Sequence, residues 1–302
     1  MINHSECDYG YKTDRGVECY DRIKTAKTAV ISPFSTGVTY ALIEKSIKDE
    51  IPLFTMGYGR TSAAKGEVFP WVFNFPATYW SQATSVVQYI ANREGGMNKL
   101  KGMRFAFVHL DHPYGKEPIP TFKAMSEKFG FSVDLYPVPP ASMTEQKSIW
   151  LQIRRTRPDY AIMWGWGAMN STAVKEAANI RFKMDHFIGN WWSGAEPDVI
   201  PAGKGAIGYV AATMHGAGTD YAIYKDIKKL YDAGKGTAKS FADVGNVLYS
   251  RGMVNAAYTV EAIRTAQAKY GNRAMTGAEV RWGFENLDIC LLYTSPSPRD
   301  NR

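Results

Sequence analysis

Short apolar runs of strand length alternate with stretches of helical period along nearly all of this chain, and no other feature restricts its fold so far. Tyr160-Ala161-Ile162-Met163 shows the unit clearly: four apolar residues between Pro158-Asp159 and Trp164-Gly165, then an alanine-rich helix over residues 171–180. The series opens with a strand at residues 2–7 and a helix capped by Thr13-Asp14, whose Val17, Tyr20 and Ile23 share one face. Strands at 29–31, 51–54 and 71–75 follow, with a helix at 37–48 between the first two. A second series places helices at 81–93, 121–129, 145–155 and 171–180. Its strands fall at 105–110, 132–136, 160–163 and 186–188. Such alternation requires parallel sheets covered on both faces by helices, with right-handed crossovers. The series divide at Phe75-Pro76, and residues 205–214 read as a second extended crossing before helices at 221–231, 243–270 and 276–286. At 302 residues the chain is longer than one hydrophobic core usually serves. The expectation is an α/β protein of two Rossmann-like lobes, residues 1–75 with 215–289 and residues 76–214, with a cleft between the carboxyl ends of their strands.

Residues 290–302, CLLYTSPSPRDNR, break the pattern with no periodicity and two Ser-Pro steps, and read as a non-native, linker-like tail. The net charge is +7, but lysines and arginines are scattered among acids. The densest basic group, Arg154-Arg155-Arg157, ends a helix, where cations complement the helix dipole. Nucleic acid is therefore not an expected partner. No apolar run approaches the ~20 residues that span a bilayer. Three cysteines with no Cys-x-x-Cys exclude a disulfide scaffold and a zinc knuckle. Cys7 and Cys19 are the one plausible pair, with a bridge and two buried thiols equally open.

Two glycine loops, Gly165-Trp166-Gly167 and Gly57-Tyr58-Gly59, lack the third glycine of a dinucleotide fingerprint. Each also sets a bulky ring where pyrophosphate would approach the backbone. His109, Asp111 and His112 sit together after a strand, but with a proline next and no fourth ligand they read as a polar loop edge and not a metal site. No catalytic motif is present, so the chain is not expected to be an enzyme and no cofactor is implied. What remains is a set of hydroxyls and aromatic rings where strands meet helices. Ser35-Thr36-Gly37 opens a helix whose N–H groups suit a carboxylate, or else merely caps it. Tyr58, Tyr114, Trp164, Trp166, Trp191 and Trp192 each follow or end a strand. Rings at several successive junctions describe a lining for the cleft.

The two-lobe order, Ser35-Thr36-Gly37 at a helix start, Asp111-His112-Pro113-Tyr114-Gly115 after a strand, and the junctions at Trp166 and Trp191 resemble the leucine/isoleucine/valine-binding protein family. These are type I periplasmic substrate-binding proteins of ATP-driven (ABC) importers. CDYGYKTDRGVECYDRIK, residues 7–24, resembles that family's second strand and helix, and the likeness extends over residues 2–289. It implies a monomeric extracytoplasmic binding protein that captures a small molecule and delivers it to a membrane permease, with a ligand-sensing receptor or regulator as the alternative. It also implies a chain truncated at both ends, lacking a signal peptide. Carried over by position, Thr36 and the backbone around Gly57 and Gly59 grip a carboxylate, while Tyr114 and Trp166 close over the ligand. The pattern departs at Trp191, which stands where amino-acid binders place an acid for the ammonium group. An aromatic or apolar carboxylate fits these walls better than leucine, with a quaternary ammonium ligand as an outsider.

Overall fold

Strands that are apolar on both faces need cover on both, and β3 (Arg104–Leu110) and β5 (Tyr160–Trp164) have it. Every residue of β5, and every residue of β3 after Arg104, is buried. The structure, a computed structural model, describes residues 2–25 and 27–288. Its elements run α1 (Thr13–Ile23), α2 (Thr36–Asp49), β1 (Leu53–Met56), β2 (Val72–Phe75), α3 (Tyr79–Glu94), β3, α4 (Pro113–Lys116), α5 (Ile119–Phe129), β4 (Ser132–Val138) and α6 (Lys147–Thr156). Then come β5, α7 (Ala168–Asn179), β6 (Phe187–Gly189), α8 (Glu196–Val199), β7 (Val210–Ala211), α9 (Ala222–Asp232), α10 (Val247–Tyr270) and α11 (Gly277–Glu285). No described helix is long and apolar enough to cross a membrane.

The larger sheet has the order β4-β3-β5-β6-β7, with every pair parallel. Strand order reverses between β3 and β5, and open sheets of this kind bind ligands beside that reversal, past the carboxyl ends of the strands. Phe105, Phe107, Ile162 and Trp164 form its core with Val87 and Ile90 of α3, Phe122 of α5, Trp150 of α6 and Val174 of α7. Burying each such side chain contributes ~1.5–3 kcal/mol over leaving it exposed. The smaller sheet pairs β1 with β2 in parallel, and Ile31 adds one bridge to Leu53. One of its faces packs Leu53 with Tyr20, Val38 and Leu42. The other packs Phe54 with Ala262 and Ala266 of α10 and Val280 and Phe284 of α11.

Two segments connect these bodies. β2 ends at Phe75, and Thr78 starts α3 with a capping box to Ser81 that satisfies helix N–H donors reciprocally. From there Ala83 and Val87 enter the core of the larger sheet. α10, capped by Asn246, has its later turns on the smaller sheet, while Leu248 in its first turn rests against the other core.

Three expected elements differ. Residues 2–7 form no strand: five of the six are exposed, and no described segment pairs with them. Alternating side chains specify a strand only where a partner and a face to bury exist. Residues 29–31 shrink to the bridge at Ile31, because Pro33 and the left-handed Phe34 (φ 51°) end the extended backbone. In 205–214 only β7 is strand, preceded by a 3₁₀ turn over Ile200–Ala206. Thr13 is the first residue of α1, whose cap position is Lys12 with no side-chain bond. Cys7 and Cys19 are joined by a disulfide, Cα to Cα 5.8 Å, which answers the question the sequence leaves open.

Candidate functional site

β1 ends at Met56, and the next residue, Gly57, has φ 70°, a backbone that costs a side chain and so favours glycine. The turn presents its carbonyl to the larger sheet, where it accepts Trp191 Nε1 and Trp192 Nε1, each at 2.6 Å. Both tryptophans follow β6. Asn190 fixes their loop: its Oδ1 accepts the Trp192 N–H at 3.0 Å and its Nδ2 donates to Tyr114 Oη at 2.7 Å. Tyr114 Oη in turn donates to Gly165 O at 2.8 Å, and Ser193 Oγ accepts the Gly165 N–H at 3.1 Å. The loops after β3, β5 and β6 are thus tied into one buried network facing Gly57.

Rings fill the space between. Trp191 stacks on Tyr79 with centroids 5.8 Å apart and planes at 27°. Tyr79 also meets Tyr114 at 5.4 Å. Trp192 meets Trp166 edge-on at 5.3 Å, and Trp166 stacks under Tyr11 at 6.2 Å. Burial raises the Tyr11, Tyr79 and Tyr114 hydroxyls above the ordinary phenol range, so all three remain protonated donors. Among the described residues, no carboxylate bonds to Thr36, Tyr79, Tyr114, Trp166, Trp191 or Trp192.

Each residue singled out by sequence has a definite place. Ser35 is the cap of α2, its Oγ accepting the Val38 N–H at 3.4 Å. Thr36 Oγ1 accepts the Gly59 N–H at 3.1 Å, so two groups assigned to a ligand bond to each other. Gly57, Tyr114, Trp166, Trp191 and Trp192 come together as described. Tyr58 stands behind them, its Oη accepting the Phe34 N–H at 2.8 Å and donating to Phe54 O at 3.2 Å. Trp164 is fully buried in the larger sheet, edge-on to Phe107 and Phe122. His109 Nδ1 lies 3.0 Å from Leu110 O, and Asp111 pairs with Lys116 at 2.5 Å. No group of three metal-ligating side chains exists among the described residues.

Three participants escaped the sequence reading. Tyr11 lies between the strand expected at 2–7 and the helix capped by Thr13-Asp14, and Tyr79 between Phe75-Pro76 and the helix expected at 81–93, so neither stands at an expected strand end. Arg251 falls inside the helix expected at 243–270 and is not singled out there. The available signal was its position among Val247, Leu248, Val254 and Asn255, which puts an arginine on the buried stripe of α10. Burial pulls its guanidinium down to about 10, still charged at neutral pH.

A model of a family described as periplasmic binding protein matches residues 1–297. That span enters the segment read as a tail, which lies outside the described residues. None of the curated proteins matches the chain. A solved structure described as an ABC transporter permease from the Pseudomonas fluorescens group is 43% identical with a TM-score of 0.84, over 94% of this chain and 69% of that one. A branched-chain amino acid ABC transporter protein from Thermus thermophilus with bound valine shares the fold at 21% identity and a TM-score of 0.75, over 91% of this chain and 69% of that one. So does an ABC transporter solute-binding protein from R. palustris in complex with benzoate, at 16% identity and a TM-score of 0.71, over 92% of this chain and 72% of that one.

Proposed function

Because the chain belongs to the periplasmic binding protein family, of the type I, branched-chain amino acid-binding kind, we propose that it captures a small carboxylate, aromatic by preference, and delivers it to the permease of an ABC importer. Members of this family are substrate-binding proteins and not enzymes, and binding with closure is the whole mechanism. We take residues 1–75 with 215–289 as one lobe and 76–214 as the other, the ligand lying between them. The protein acts outside the cytoplasm, as a monomer and without a cofactor.

The observation that carries this reading is the pair of aromatic walls to which, among the described residues, no carboxylate is hydrogen-bonded. Tyr79 on Trp191 and Tyr11 on Trp166 offer flat apolar faces at the carboxyl ends of the strands. Thr36 and Gly59, bonded to each other, and the Gly57 carbonyl, bonded to both indoles, border these walls, with Ser35, Tyr58 and Trp164 behind them. An ammonium group here keeps only cation–π contact, ~0.5–2 kcal/mol. Losing the carboxylate partner of a buried charge costs more, ~3–5 kcal/mol. The second quantity decides, so leucine, isoleucine and valine bind poorly. The bound benzoate and valine of the two related structures bracket this choice of ligand. Calorimetric titration with benzoate and with leucine tests it. Benzoate is expected to bind and leucine not. Micromolar leucine binding with no response to aromatic acids would refute the preference.

A further inference from the structure

Arg251 stands in the second turn of α10 and is only 3% exposed. Its Nε donates to His215 Nε2 at 3.1 Å, and its Cζ lies 4.2 Å from the centroid of the Trp192 ring. Nη1 and Nη2 are buried, and neither has an acceptor. No described carboxylate pairs with it. Glu196, within electrostatic range of His215, already accepts the Val247 N–H at 2.9 Å. A buried cation whose forked donors lack an acceptor is costly, and folded proteins retain such a group where a function uses it.

A second orphan lies at the same place. The Tyr79 hydroxyl is buried without a hydrogen-bond partner. Thr36 and Trp192 flank it outside bonding geometry, and its ring and that of Tyr114 lie within electrostatic range of Arg251. Unpaired donors from α10 and α3 therefore converge beside the indoles bound to Gly57. Two parallel N–H groups match the two oxygens of a planar carboxylate, a fit that a point charge lacks.

We infer that Arg251 is the anion anchor of the site: Nη1 and Nη2 hold the two oxygens of a planar carboxylate, and the Tyr79 hydroxyl donates to one of them. This deepens the solute-binding reading and rests on it. It shifts the carboxylate grip from the start of α2, whose Thr36 is committed to Gly59, to α10 of the same lobe. It also excludes quaternary ammonium ligands, which would meet a buried like charge.

The test combines ligand-free stability with a charge-graded panel on the full chain. Benzoate, phenylacetate and 4-hydroxybenzoate are titrated calorimetrically beside benzamide and choline, against wild type, Arg251→Met, Arg251→Lys and Tyr79→Phe. Wild type is expected to bind at least one acid and to reject benzamide and choline. Arg251→Met should weaken that acid by ~10–100-fold, the worth of hydrogen bonds to a charged group, and Tyr79→Phe by ~10-fold. Arg251→Lys should recover only part of the loss. Without ligand, Arg251→Met should unfold at the same or a higher temperature, since it removes an unpaired buried charge. A lower unfolding temperature for Arg251→Met overturns the anchor and makes the arginine structural. Acid binding indifferent to Arg251, or benzamide bound as tightly as benzoate, overturns the anchor and leaves the solute-binding reading standing. A panel in which nothing binds removes both.

Discussion

Thr36 shows how one hydroxyl read from sequence as a ligand contact takes a structural partner. Its Oγ1 accepts the buried Gly59 N–H, and α2 is capped by Ser35 instead. Removing the hydroxyl strands that N–H, and a buried donor without an acceptor costs ~1–3 kcal/mol. Thr36→Ala is therefore expected to lower the urea midpoint of the ligand-free protein, and Thr36→Ser to restore it. An unchanged midpoint for Thr36→Ala would mean Gly59 has another acceptor. Gly57 is constrained by backbone and by contact. A Cβ added there would lie 2.3 Å from Met214 Cε and 3.1 Å from Trp191 Nε1, at φ 70°. The methionine tip can swing aside, whereas the left-handed backbone costs a side chain ~1–2 kcal/mol. Gly57→Ala should destabilise by about that amount. Equal thermal midpoints for the two proteins would show that the turn relaxes without loss.

Among elements, α10 and α11 approach closely at Gly283. A Cβ at Gly283 would lie 2.0 Å from the Ala262 carbonyl oxygen, a backbone atom that no rotamer change can move. Gly283→Ala must push the two helices apart and is expected to cost ~1–3 kcal/mol, the usual penalty of overpacking. Denaturant unfolding checks it, and a loss below 0.5 kcal/mol would show slack between these helices. This contact was invisible in the sequence, where Gly283 is a glycine late in a helical pattern. The elements that could be read were those whose own residues carry the signal. β3 and β5 are apolar on both faces, and α3 and α7 alternate at helical period, so they lie where periodicity puts them. Residues 2–7 alternate as well as a strand does, but alternation contains nothing about whether a neighbour is there to pair with. The rings at strand ends were legible for the same local reason. Arg251 was legible only as an arginine on the buried stripe of α10; that its Nη groups lack acceptors depends on residues across the junction, and absence of a partner is not written at one position.

For the whole molecule, acidity acts through three imidazoles. Burial lowers His109, His112 and His215 below the ordinary 6.5. The unfolded chain then takes up these protons first, so their stabilisation is complete above pH 6.5 and is lost as pH falls through the lowered folded values. Glu117 and Asp198 act in the opposite sense, because burial raises both, but from starting points of 4.5 and 3.8. The urea midpoint is expected to fall between pH 7.5 and about 5.5. A midpoint that rises over this interval would show the two carboxyl groups outweighing the imidazoles. The shared carbonyl of Gly57 has an optical consequence. Of the eight tryptophans, two donate their indole N–H to that one oxygen on the opposite sheet. If the sheets separate, both indoles exchange a dry acceptor for water in the same movement. On the solute-binding reading proposed above, emission excited at the indole band should then shift to the red on opening and to the blue on capture, an intrinsic optical signal that needs no added dye.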